Sequence, residues 1–217
     1  MEFEQFNEAQ VREEIIESGR RLWVRQLVAS NDGNISCRVN EGEVLITASG
    51  VSKGFLSPED ILRVDLEGNK LEGPPGKEPS SESPLHLRVY QERPDVRAVI
   101  HAHPPIASGF AVAGIALDRP ILSEIVAVFG AIPLAPYALP GTEELPDSIM
   151  PFIERHNAFL LANHGAMAIG SHVMQAYYRM EVIEHVANVS LTARQLGNEN
   201  LLSQQDIQRL LDSLNYE

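Results

Sequence analysis

From position 8 to 29 the apolar residues Val11, Ile15, Ile16, Leu22, Trp23 and Leu27 recur near helical spacing. That periodicity predicts one long amphipathic helix, ended by the loop signal Ser30-Asn31-Asp32-Gly33. Two short runs of β-formers, 34–39 and 43–47, flank the turn Val39-Asn40-Glu41-Gly42 and predict a hairpin. Ser57-Pro58-Glu59-Asp60 reads as a helical turn, followed by a strand over 61–65, a Gly68-Asn69 turn and a Pro/Gly-rich loop over 73–79. A helix over 82–92 and a strand over 96–100 come next, the strand running into His101-Ala102-His103-Pro104. The remainder predicts helices over 105–112, 142–155, 173–196 and 203–214, with strands over 131–134, 158–162 and 166–169. Hairpins among alternating helices and strands point to an α/β fold in which helices cover both faces of a mixed or antiparallel sheet. There is no internal repeat, no G-x-G-x-x-G and no Walker loop.

Composition fits one large domain over 1–217: 44% hydrophobic and 22% charged residues lie close to the globular average, so disorder is not the expectation. Thirty Asp plus Glu against seventeen Lys plus Arg give a net charge of -13 with no basic run, which argues against nucleic acid as a partner. A small phosphorylated ligand stays open, because backbone amides, hydroxyls and a helix N-terminus can hold one phosphate without a lysine cluster. One cysteine, Cys37, excludes an intrachain disulfide and a thiolate zinc cluster, and a reducing compartment is expected. The first ten residues are acidic and polar, unlike a secretory signal, and apolar stretches such as 106–117 fall short of the ~20 residues that span a bilayer. A cytoplasmic location without a membrane partner follows as the expectation.

His101 and His103, spaced i, i+2 at the end of an apolar strand, project from one face in chelating geometry. His164, in Leu161-Ala162-Asn163-His164-Gly165, ends another apolar strand, with Gly165 permitting a sharp turn beside it. Three neutral imidazoles suit Zn²⁺ and leave a position open, as in a catalytic site, although an H-x-H pair also occurs by chance on surface strands. Glu82 falls in the first turn of a helix, where the macrodipole favours an anion, and Ser80 and Ser81 could cap that helix or bind an anion. Gly33-Asn34-Ile35-Ser36 and Thr47-Ala48-Ser49-Gly50 bracket the hairpin with small hydrogen-bonding residues that permit close backbone approach. His86, four residues after Glu82, either backs the site or makes a partly buried polar contact, whereas His156, His172 and His185 read as structural or solvated.

Together, Gly33-Asn34-Ile35-Ser36, Ser80-Ser81-Glu82, His101-Ala102-His103, Ala135-Pro136-Tyr137 and Asn163-His164-Gly165 resemble, in order and spacing, the class II aldolase/adducin family over nearly the whole chain. The resemblance implies a three-layer α/β/α sandwich with a largely antiparallel central sheet, and a homotetramer with active sites between subunits. It implies one Zn²⁺ per subunit on His101, His103 and His164, with Glu82 as a fourth ligand at rest and acid/base once substrate displaces it. The implied phosphate pocket is Asn34, Ser49, Gly50, Ser80 and Ser81, where Ser49 keeps the hydroxyl of the Thr found in the family's fuculose-phosphate enzymes. Tyr137 would reach a neighbouring subunit and handle the aldehyde oxygen, and Tyr216 is the possible counterpart of a C-terminal tyrosine.

The implied reaction is cleavage of a ketose 1-phosphate, such as L-fuculose 1-phosphate, to dihydroxyacetone phosphate and a short aldehyde. No lysine occupies a recognisable Schiff-base position, so Zn²⁺ is the expected electron sink. The rivals within the family are a methylthioribulose-1-phosphate dehydratase, for which Glu124 would be the second carboxylate, and a sugar-acid-phosphate decarboxylase. Family 4-epimerases carry Asp where this chain has Glu82. The non-enzyme rival is an adducin-head-like interaction domain, which would lack the metal histidines.

Overall fold

The computed structural model describes residues 7–214, so Tyr216 lies outside the described residues. An eight-stranded sheet in the order β4-β3-β2-β1-β5-β8-β7-β6 forms the middle layer of an α/β/α sandwich. Its strands are β1 (Asn34–Arg38), β2 (Glu43–Thr47), β3 (Ile61–Asp65), β4 (Lys70–Glu72), β5 (Ala98–Ala102), β6 (Leu134–Ala135), β7 (Ala158–Leu161) and β8 (Gly165–Gly170). Every pairing is antiparallel except β6 with β7.

Two apolar clusters fill the spaces on either side of the sheet. One packs α1 (Glu8–Val24), α3 (Pro105–Val112), α4 (Ser123–Val128), α6 (Val173–Leu196) and α7 (Gln204–Leu214) over Ile35, Ile100 and Ala168. The other packs α2 (Ser83–Glu92) and α5 (Glu144–Ile149) over Val99, Phe159 and Met167. Strand β5 lies in the middle of the sheet with an apolar cluster on each face, Ala98 and Ile100 on one side and Val99 on the other, which explains the unbroken apolar run Ala98-Val99-Ile100. None of the described helices is long and apolar enough to cross a membrane.

Several expected boundaries move. Helix α1 stops at Val24, five residues early, because Gln26 takes the left-handed conformation (φ 59°). Gln26 N–H then donates to the Trp23 carbonyl and Leu27 N–H to that of Leu22, closing the helix with a Schellman arrangement in which Gln stands where Gly is usual. The helix expected over 142–155 is one short segment, α5, closed soon after it by Pro151, which has no N–H to give. The strand expected over 131–134 contracts to Leu134–Ala135, since Ile132 pairs instead with Leu117 in an isolated bridge. Strand β5 runs two residues past the expected 96–100, which puts His101 inside the strand and not beyond its end. Helix α4 and strand β4 have no counterpart in the sequence reading.

Candidate active site

The register of the sheet assembles the histidines. His101 in β5 faces Asn34 of β1 on one side and Met167 of β8 on the other, and His103 follows immediately. His164 sits in the tight β7–β8 connection, whose Asn163 adopts φ 54°, a conformation asparagine tolerates. Gly165 is obligatory at this point: a Cβ there would lie 2.5 Å from His103 Cδ2 and 2.6 Å from the Ala102 carbonyl oxygen. The three rings consequently stand edge to face, with centroids 4.6–5.0 Å apart, and a ligating atom of each lies within 4.8 Å of the others.

Hydrogen bonds at the outer nitrogens decide what the inner ones can do. His101 Nδ1–H donates to the Ala166 carbonyl at 2.9 Å, and His103 Nδ1–H faces Asp32 Oδ2 at 3.3 Å. Both Nε2 atoms are then unprotonated, yet they stand 3.0 Å apart. Burial pushes both imidazoles below their ordinary pKa, His101 to about 3, so a proton shared between them is disfavoured at neutral pH. Two lone pairs aimed at one point in a buried site repel unless a cation sits there, and neutral imidazole is the ligating form. His164 Nδ1 is buried without a partner while its Nε2 lies 3.0 Å from Glu82 Oε1. The donor set therefore fits Zn²⁺.

Glu82 is the residue just before α2, and no side-chain cap hydrogen bond forms there. Its carboxylate turns away from the helix end to lie 3.3 Å from His101 Nε2 and to accept from Asn34 Nδ2 at 2.8 Å. Burial alone would raise its pKa, but His101, His164 and Asn34 outweigh that and hold it well below the usual carboxylate range.

Asn34 opens β1, and the other expected phosphate residues come from two distant loops joined by a bridge, Ala48 with Pro79. Ser49 N–H donates to the Glu78 carbonyl at 2.9 Å and Ser80 N–H to that of Thr47 at 3.3 Å, so the Ser49-Gly50 turn lies against Ser80-Ser81. Asn34, Ser49, Gly50, Ser80 and Ser81 line one cavity of about 180 Å³ together with Glu82, His103 and His164. Three larger depressions, of about 450, 330 and 450 Å³, are lined by none of the histidines. Ser80 Oγ accepts from Asn34 Nδ2 at 3.1 Å and from Glu82 N–H at 3.3 Å, which leaves its own proton for a bound acceptor.

Tyr137 and Glu124 are not in this cavity. Tyr137 follows β6 and is 60% exposed, and Glu124 is exposed in the first turn of α4. Two further residues of the cavity carry no chemical signature in the sequence. Asp32 supports His103 from what read as a simple loop signal, and Lys53 is only 2% exposed, its ammonium on the Val51 carbonyl and its pKa pushed by burial to about 8. A lysine without an apolar-face pattern gave no signal of burial; the aspartate's Asn31-Asp32-Gly33 setting reads equally as a turn. His86 is fully buried, and its two ring nitrogens meet Asn34 and Ser36.

The family model described as Class II Aldolase and Adducin N-terminal domain matches residues 13–191. The chain is 33% identical to the 5-deoxy-D-ribulose 1-phosphate aldolase of Bacillus thuringiensis serovar kurstaki over 201 residues, 92% of each chain. It is 32% identical to a methylthioribulose-1-phosphate dehydratase of Methylococcus capsulatus (80% of this chain, 89% of that one) and 31% to a 3-oxo-tetronate 4-phosphate decarboxylase of Haemophilus influenzae (83% and 87%). A solved L-fuculose 1-phosphate aldolase superposes with a TM-score of 0.87 at 30% identity, covering 95% of this chain and 97% of that one.

Proposed function

Because this chain belongs to the class II aldolase and adducin family, we propose that it is a zinc-dependent carbon–carbon lyase acting on a ketose 1-phosphate of the L-fuculose 1-phosphate kind. Its products are dihydroxyacetone phosphate and a short aldehyde. The observation that carries this reading is the convergence of His101, His103 and His164, a ligating atom of each within 4.8 Å of the others, with Glu82 Oε1 3.0 Å from His164 Nε2.

His101, His103, His164 and, at rest, Glu82 hold the metal. Zn²⁺ supplies a Lewis acid for the negative charge that develops when the carbon–carbon bond breaks. Asn34, Ser49, Gly50, Ser80 and Ser81 hold the phosphate against the metal-facing wall, with hydroxyl and backbone N–H donors in place of a lysine cluster. In the condensation direction Glu82, a carboxylate kept ionised, takes a proton from the hydroxymethyl carbon of dihydroxyacetone phosphate. That carbon's electron pair forms the new bond to the aldehyde carbon, and Tyr137 gives a proton to the aldehyde oxygen. Cleavage is the same sequence reversed: Tyr137 takes the hydroxyl proton, the bond breaks, and Glu82 returns a proton to carbon.

Exposed on the segment after β6, Tyr137 is free to enter the site of a neighbouring subunit of a homotetramer. Residues 1–217 act as a single domain, and the buried lone thiol Cys37 suits the cytoplasm. Glu82 is the carboxylate held among the histidines, and with Tyr137 it is the acid/base group that cleavage requires.

The test is a panel of ketose 1-phosphates assayed for dihydroxyacetone phosphate and for aldehyde with zinc-loaded protein. Equimolar release of both from at least one substrate is expected. Water loss or decarboxylation of a family substrate, with no dihydroxyacetone phosphate from any of the panel, would replace this reading with a dehydratase or a decarboxylase.

A further inference from the structure

Glu82, His86 and Tyr90 follow one another at i, i+4 and i+8, from the residue just before α2 to its last turn, on one face of the helix. Behind Glu82 runs a buried chain of hydrogen bonds. Asn34 Nδ2 reaches Glu82 Oε2 at 2.8 Å, Asn34 Oδ1 meets His86 Nε2 at 2.5 Å, His86 Nδ1 meets Ser36 Oγ at 2.7 Å, and Ser36 Oγ meets Tyr90 Oη at 2.7 Å.

The direction of every proton in this chain follows from the Asn34 amide and its three contacts. Asn34 Nδ2 lies within reach of both Glu82 Oε2 and Ser80 Oγ, so the amide presents its NH₂ to that side and its carbonyl oxygen to His86. His86 Nε2 must then carry the ring proton, and Nδ1 must accept from the Ser36 hydroxyl. Ser36 Oγ in turn accepts from the Tyr90 hydroxyl, which keeps its proton because burial raises it well above the ordinary value for tyrosine. Only one amide orientation satisfies all partners, and the second N–H of that same amide is the one reaching Ser80 Oγ at 3.1 Å.

We propose that His86 is a positioning residue that locks the Asn34 amide, and through its two N–H groups fixes both the Glu82 carboxylate and the Ser80 hydroxyl that faces the phosphate. It rests on the reading of Glu82 as the base. One side chain that touches neither metal nor substrate thereby ties the proton-transfer group to the anion pocket. Without it the amide can rotate, and a flipped Asn34 would aim its oxygen at the carboxylate.

The test compares zinc-loaded wild type with His86→Leu and His86→Gln. Leucine removes the donor to Asn34, whereas glutamine can place an amide N–H close to where Nε2 stood. For His86→Leu a loss of about 10- to 100-fold in kcat is expected, the range for groups that orient a ligand, with KM for the phosphorylated substrate raised and zinc content unchanged. His86→Gln should recover to within about threefold of wild type, a recovery that a purely packing role would not produce.

In ¹⁵N spectra of the wild type, the His86 ring should carry its proton on Nε2 and stay neutral from about pH 6 to 9, since burial pushes it to about 4. A folded, zinc-replete His86→Leu enzyme within about threefold of wild type, or failure of glutamine to do better than leucine, would overturn the assignment. If the leucine variant does not fold, the spectrum decides: a proton on Nδ1 excludes donation to Asn34. Should wild type release no dihydroxyacetone phosphate, the aldolase reading falls, while the spectrum still reports on the His86 lock.

Discussion

A His103→Ala protein is expected to purify with far less than the roughly one zinc per chain of the wild type, and with cleavage reduced at least about a thousandfold. His103 is the histidine to replace. It is the most exposed of the three, lines the cavity wall, and its outer nitrogen faces a partly exposed Asp32, so its loss leaves no buried group stranded. His101, in contrast, is wholly buried and satisfies the Ala166 carbonyl, so its removal would confuse metal loss with unfolding. Elemental analysis of the folded variant is the measurement. Full zinc occupancy in folded His103→Ala would remove His103 from the ligand set.

Glu82→Gln separates the base from the ligand. Glutamine keeps the size of the side chain and an oxygen to accept from Asn34, but has no carboxylate to take a proton from carbon. Cleavage is expected to fall by about 10² to 10⁴, the usual contribution of a general acid or base. The three nitrogens remain, so most of the zinc should stay. Paired steady-state rates and metal analysis would show both effects, and a variant within about tenfold of wild type would mean that another residue moves the proton.

The parts of this site with a short-range signature were legible in the chain. His101 and His103 needed only strand periodicity and an i, i+2 spacing, and Gly165 announced a turn that the structure shows to be sterically compulsory. The end of α1 was not legible, because Gln26 does a glycine's work and no residue type marks it. The role of His86 was hidden for a different reason. Its partners Asn34 and Ser36 come from β1, about fifty residues earlier, and only the packing of α2 against the sheet brings them within reach. Lys53 and Asp32 likewise enter the cavity through tertiary placement alone. Tyr137 and Glu124 show the converse: order along the chain put them among the candidates, and the fold leaves both outside the cavity walls of their own chain.

The most direct test of a metal-dependent proton transfer centred on Glu82 needs no sugar substrate. Dihydroxyacetone phosphate incubated in D₂O with zinc-loaded protein should exchange one of the two hydrogens on its hydroxymethyl carbon, followed by proton NMR. The exchange should disappear after chelation and in Glu82→Gln. Dihydroxyacetone phosphate that keeps both hydrogens in the presence of active, zinc-loaded protein, or exchange that continues at the wild-type rate after the metal is removed, would contradict the account.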